Sequence, residues 1–134
     1  MIVIDTHVLV WALDDDDRLG SKARTRIDES ETVLVSAISI WEIALLVKKS
    51  RLVLKRDVAG WVKQALDLPS LQLVPLDPAI VLDSVNLPGE FQKDPADRII
   101  IATARHHDVP LLTIDRAILD YAQSGHVAAE DAGL

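Results

Sequence analysis

Four short, nearly continuous apolar runs constrain this chain most: Ile2-Val3-Ile4, Val33-Leu34-Val35, Leu71-Gln72-Leu73-Val74 and Leu111-Leu112-Thr113-Ile114. Their length suits strands, and their lack of polar alternation suits strands covered on both faces. Helical patterns lie between them, an alternation that predicts parallel strands joined by crossover helices. The expected class is α/β: a three-layer α/β/α fold around a short central parallel sheet of four or five strands.

Start signals place the helices. Ser21 is expected to cap a helix over 22–27, Ser39 one over 40–47 and Asp57 one over 58–66, because each side-chain oxygen can accept from free N–H groups of the first turn. Asp77-Pro78 and Asp94-Pro95 add two more starts, with Asp as cap and Pro at the first helical position. The last of these is expected to run to about His107. An apolar helix over 8–13 precedes the run Asp14 to Asp17, where four carboxylates would oppose the helix dipole, so a solvated turn is expected there.

At 134 residues the chain fits a single domain spanning 1–134, with no repeat, low-complexity tract or linker. No apolar run approaches the roughly 18 residues of a membrane span, and no basic leader precedes Ile2, so a soluble cytoplasmic protein is expected. Cysteine is absent, which leaves oxygen ligands or imidazole for any metal. The formal net charge of −7 opposes non-specific binding to a polyanion, unless the acidic residues are gathered around divalent cations that reverse the local field.

Such a gathering is legible. Asp5 ends the first run and Asp115 follows the fourth, at the carboxyl edge where parallel sheets bind ligands. Glu42 and Asp97 are expected in the first turns of helices that begin at the same edge. Each also has a structural reading. Glu42 stands three residues after Ser39, the capping-box spacing; Asp97 can complement a helix N-terminus; Asp5 and Asp115 can open turns. Capping alone does not require the four to converge, since like charges about 6 Å apart at an effective dielectric near 20 repel by roughly 3 kcal/mol per pair. A hard divalent cation removes that penalty, and one or two such ions suit phosphodiester hydrolysis.

Taken together, Ile4-Asp5-Thr6-His7, Ser36-Ala-Ile-Ser-Ile-Trp-Glu42-Ile, Asp94-Pro-Ala-Asp97-Arg98-Ile-Ile-Ile-Ala-Thr-Ala104 and Leu111-Leu-Thr-Ile-Asp115 resemble PIN-domain nucleases of the VapC toxin type. The resemblance implies a Mg²⁺- or Mn²⁺-dependent endoribonuclease, often dimeric, restrained by a cognate antitoxin. It carries metal and catalytic roles onto Asp5, Glu42, Asp97 and Asp115, with Thr6 and Thr113 as polar support. Asp94 is left as a helix cap.

Other residues are read more plainly. His7 is expected to pack or face solvent, and His106 and His107 to complement a helix C-terminus. Lys48, Lys49, Arg51, Lys55 and Arg56 suit a solvated face or RNA phosphates equally, with Lys48, Lys49 and Arg51 nearest the Glu42 helix. Trp11, Trp41 and Trp61 are expected in the core, with an interface role for Trp41 left open. Two other classes compete: a Mg²⁺-binding phospho-receiver, which would want an acidic pair after the first strand, and a non-catalytic PIN-like binding module. A haloacid-type phosphatase would want Asp where His7 stands.

Overall fold

The computed structural model describes residues 1–134. In chain order it contains β1 (Ile2–Ile4), α1 (Thr6–Leu13), α2 (Ser21–Asp28), β2 (Val33–Ser36), α3 (Ala37–Lys48), α4 (Val58–Leu66), β3 (Leu71–Val74), α5 (Pro78–Val85), α6 (Pro95–His107), β4 (Leu111–Thr113), α7 (Arg116–Ala122) and β5 (Ala129–Asp131). All pairings are parallel and the strand order is β3-β2-β1-β4-β5, the three-layer α/β/α arrangement expected. The chain moves outward from β1 through β2 and β3, then returns to the other side for β4 and β5. A topological switch point therefore lies between β1 and β4.

Strands β1, β2 and β4 are buried on both faces, which explains their continuous apolar character, whereas β3, at the sheet edge, exposes Gln72 and Leu73 although its run also suggested two covered faces. Ile2 and Ile4 of β1, Val33 and Val35 of β2 and Leu112 of β4 point into one core with Val8, Leu9, Trp11 and Ile43. Val3, Leu34 and Leu111 point into the other, against Ile80, Ile100, Ile101, Ile118 and Tyr121. The period-two alternation of side chains is intact, but both sets meet helices rather than water.

Several expected boundaries are corrected. The α3 helix starts at Ala37 with Ser36 as its cap, Ser36 Oγ accepting from Ile38 N, so Ser39 is a buried helical residue and no cap. Gly20, not Ser21, caps α2. Its N–H donates to the Ala132 carbonyl, and a Cβ there would lie 2.1 Å from the Leu134 backbone, so the close C-terminal segment demands glycine. The α1 helix begins at Thr6 rather than Val8, β4 stops at Thr113, and α7 and β5 lie beyond the elements read from sequence. Asp57, Asp77 and Asp94 cap α4, α5 and α6 as expected. In the acidic run, Asp14 accepts from Trp61 Nε1 at 2.9 Å while Asp16 pairs with Arg18, so it is more tied down than a solvated turn. Trp11 and Trp61 are core residues, but Trp41 is 57% exposed. No helix is long and apolar enough to cross a membrane.

Candidate metal centre

The carboxyl ends of β1 and β4 are stitched together at the switch point. Asp5 leaves β1 and caps α1, its Oδ1 accepting from Thr6 N at 2.7 Å and its Oδ2 from Thr113 Oγ1 at 2.5 Å. The same Thr113 hydroxyl accepts from Asp115 N at 3.0 Å. Asp115 in turn caps α7, with Oδ1 accepting from Ala117 N and Ile118 N. Thr6 Oγ1 donates to Ser39 Oγ at 3.0 Å, tying α1 to α3. Both threonines thus hold the elements that carry the carboxylates.

The remaining acids come from two helices. Asp97 lies in the first turn of α6, and Asp94 caps that helix by accepting from Asp97 N at 3.1 Å. Glu42 lies in the second turn of α3, not the first, and with the cap at Ser36 the capping-box reading of Glu42 fails. Glu42, Asp94 and Asp97 can each bring an oxygen within 4.8 Å of the others. One hollow is lined by these three together with Asp5, His7, Lys93, Ile114 and Asp115. All four predicted acids therefore face one space, and Asp94, read from sequence only as a cap, joins them.

Electrostatics register the crowding. Burial raises Asp97 from 3.8 to about 7, reinforced by Asp5, Asp94, Asp115 and Glu42. Burial also raises Asp5, against the hydrogen bonds from Thr113 and Thr6, and raises Glu42, with Asp5 and Asp94 adding to it. Lys93 answers part of this charge: its Nζ lies 3.2 Å from Asp115 Oδ2 and 3.8 Å from Asp97 Oδ2, and chiefly Asp115 raises its pKa. Hard oxygen donors without thiolate or a required imidazole fit Mg²⁺ or Mn²⁺.

Two residues of this region lie outside the sequence reading. The signal for Lys93 is its position four residues before Asp97 and next to the capping Asp94. Arg98 follows Asp97 and donates to the carbonyls of Ser84, Val85 and Phe91, fixing the path of the segment that delivers Lys93 and Asp94. His7 is exposed at the rim with its ring 6.4 Å from Trp11, and His107 Nδ1 lies 2.9 Å from the Thr103 carbonyl at the end of α6. Lys48, Lys49 and Arg51 are exposed at the far end of α3 and do not line the hollow.

A 3-2-1-4-5 parallel sheet with carboxylates gathered at its switch point defines the class, and a PIN domain profile matches residues 2–123. The chain belongs to the PIN-domain family. Within it, the chain is 34% identical over 117 residues to Ribonuclease VapC22 of Mycobacterium tuberculosis, covering 87% of this chain and 88% of that protein. Among solved structures, VapBC2 from Rickettsia felis bound to a promoter DNA fragment shares the fold with a TM-score of 0.69, 18% identity and 98% coverage of both chains. FitAcB from Neisseria gonorrhoeae shares it with a TM-score of 0.64, 23% identity and 96% coverage of both. The VapC-type resemblance of the motifs is thereby shown, and the receiver reading falls, since receivers have sheet order 2-1-3-4-5.

Proposed function

We propose that this protein is a Mg²⁺- or Mn²⁺-dependent endoribonuclease and the toxin of a toxin-antitoxin pair, acting on RNA in the cytoplasm. The observation that carries the reading is the convergence of Glu42, Asp94 and Asp97 on one point, with Asp5 and Asp115 lining the same hollow. The ribonuclease relative, which spans most of this chain, supports RNA as the substrate. Asp5, Glu42, Asp97 and Asp115 are the proposed ligand and catalytic set, and Asp94 is within reach of it. A divalent ion bound there would supply Lewis acidity for in-line attack of water at phosphorus.

The chain's own groups do the positioning. Thr113 and the Thr6 N–H fix both oxygens of Asp5, so its carboxylate cannot rotate away from the hollow. Asp115 spends one oxygen on the α7 N-terminus and offers the other inward. Oxygens left free on Glu42 and Asp97 can orient the attacking water by accepting its protons. Lys48, Lys49 and Arg51, exposed at the far end of α3, would meet RNA phosphates away from the scissile bond.

A further solved neighbour, from Klebsiella pneumoniae, is described as a toxin-antitoxin complex, which supports an antitoxin partner for this chain. An antitoxin segment bearing Arg would block the hollow well, since a guanidinium pairs with two carboxylate oxygens at once. A homodimer is also proposed, because Leu82 and Val85 of α5 and Trp41 of α3 are more than half exposed. Incubating the purified protein with RNA, before and after chelator treatment, tests the activity. Cleavage that stops with chelator and returns with Mn²⁺ is expected; cleavage indifferent to chelator, or none under any metal, contradicts it.

A further inference from the structure

Asp97 is shared between two places where positive charge can sit. On one side it meets Glu42 and Asp94 within 4.8 Å. On the other it meets Asp115, and there Lys93 Nζ already lies between them, at 3.8 and 3.2 Å. Two-metal phosphodiesterases hold their ions roughly 3.5–4 Å apart, commonly across a shared carboxylate. Asp97 is the carboxylate placed to be shared, and Lys93 puts a positive charge on its Asp115 side.

The surroundings leave little else for that second position. Asp115 Oδ1 is engaged by Ala117 N and Ile118 N, so Oδ2, the atom Lys93 touches, is its inward oxygen. Lys93 is an exposed residue, but its ammonium lies against two carboxylates, and the segment that delivers it is held through Arg98, which donates to the carbonyls of Ser84, Val85 and Phe91.

We infer that the centre takes one divalent ion, on the Glu42–Asp94–Asp97 side, and that the Lys93 ammonium fills the second cation position between Asp97 and Asp115, so that Asp115, of the proposed ligand set, serves the centre through Lys93 and not as a ligand of that ion. The inference rests on the metal-site reading of the proposed function. An ammonium brings one charge instead of two, but it is covalently present and carries three donors. The five carboxylates of the hollow would otherwise invite a second ion, and a divalent cation placed against Asp115 Oδ2 would be repelled by the ammonium at contact distance.

The test counts Mn²⁺ ions bound by the full-length protein, from loss of the free-ion electron paramagnetic resonance signal, over the background bound by Asp97→Asn. The native protein and Lys93→Arg should each bind one ion, and Lys93→Met should bind two, since removal of the ammonium opens the second position. Two ions in the native protein would overturn the inference. So would a single ion in Lys93→Met, which would leave the metal-site reading standing and remove only the role of Lys93. No ion above background in the native protein would overturn both.

Discussion

Thr113 Oγ1 stands between two acids, donating to Asp5 Oδ2 and accepting from Asp115 N. Replacing it with Val keeps the shape but leaves a buried N–H and a buried carboxylate oxygen short of a partner, a loss of about 1–3 kcal/mol. Activity should fall roughly 10- to 100-fold, as when a group that orients a metal ligand is removed. Thr113→Ser should restore most of both, as unfolding curves and cleavage rates would reveal. Asp97 makes a prediction of opposite sign. Its folded pKa, about 7, exceeds its ordinary 3.8. Below about pH 4 it is protonated folded and unfolded, and contributes nothing. As pH rises to about 7 the unfolded chain gives up this proton and the folded chain keeps it, so stability falls. Above that the cost persists, at up to about 4 kcal/mol. Asp97→Asn should therefore stabilise the metal-free protein at pH 8 and change little at pH 3.5, while losing activity. Chemical denaturation in chelator at both pH values measures it; equal effects at both would refute the crowding.

At the scale of elements, Arg98 spans the C-terminal end of α5 and the segment leading to α6. Arg98→Gln should speed amide hydrogen exchange over 86–94 while leaving β1 and β4 protected, because it releases the loop and not the sheet. Uniform loss of protection would mean that Arg98 supports the whole core instead. The same segment explains what the sequence conceals. Strands β1, β2 and β4 announce themselves because both faces are buried and every residue that is not terminal is apolar, and the edge strand β3 is legible from its leucines and valine although Gln72 and Leu73 are exposed. The edge strand β5 does not: Ala129-Glu130-Asp131 is half-buried and pairs only with β4. Caps followed by Pro are legible at Asp77 and Asp94, whereas Ser36 is obscured by doubling as the last residue of β2. The predicted acids are legible because strand ends and helix starts share one edge. Lys93 has only the weak signal of its spacing to Asp97, because its place at Asp115 depends on a path set by contacts 7 to 14 residues from Arg98.

For the molecule as a whole, the exposed apolar residues of α5 distinguish folding from assembly. Leu82 and Val85 are 65% and 69% exposed, so Leu82→Glu with Val85→Glu should leave the monomer fold intact, with an unchanged far-ultraviolet circular dichroism spectrum. It should shift the sedimentation coefficient from dimer toward monomer; a native protein already monomeric at micromolar concentration would remove the dimer proposal. The acidic centre joins the fold, the net charge of −7 and the proposed chemistry. Its most direct test is single-turnover RNA cleavage with saturating Mn²⁺ by the native protein and by Asp97→Asn, each verified as folded. Cleavage by the variant should be at least about a hundredfold slower, because a metal ligand should matter more than the groups that merely orient one. Cleavage by Asp97→Asn at the native rate and with the native Mn²⁺ dependence would contradict it.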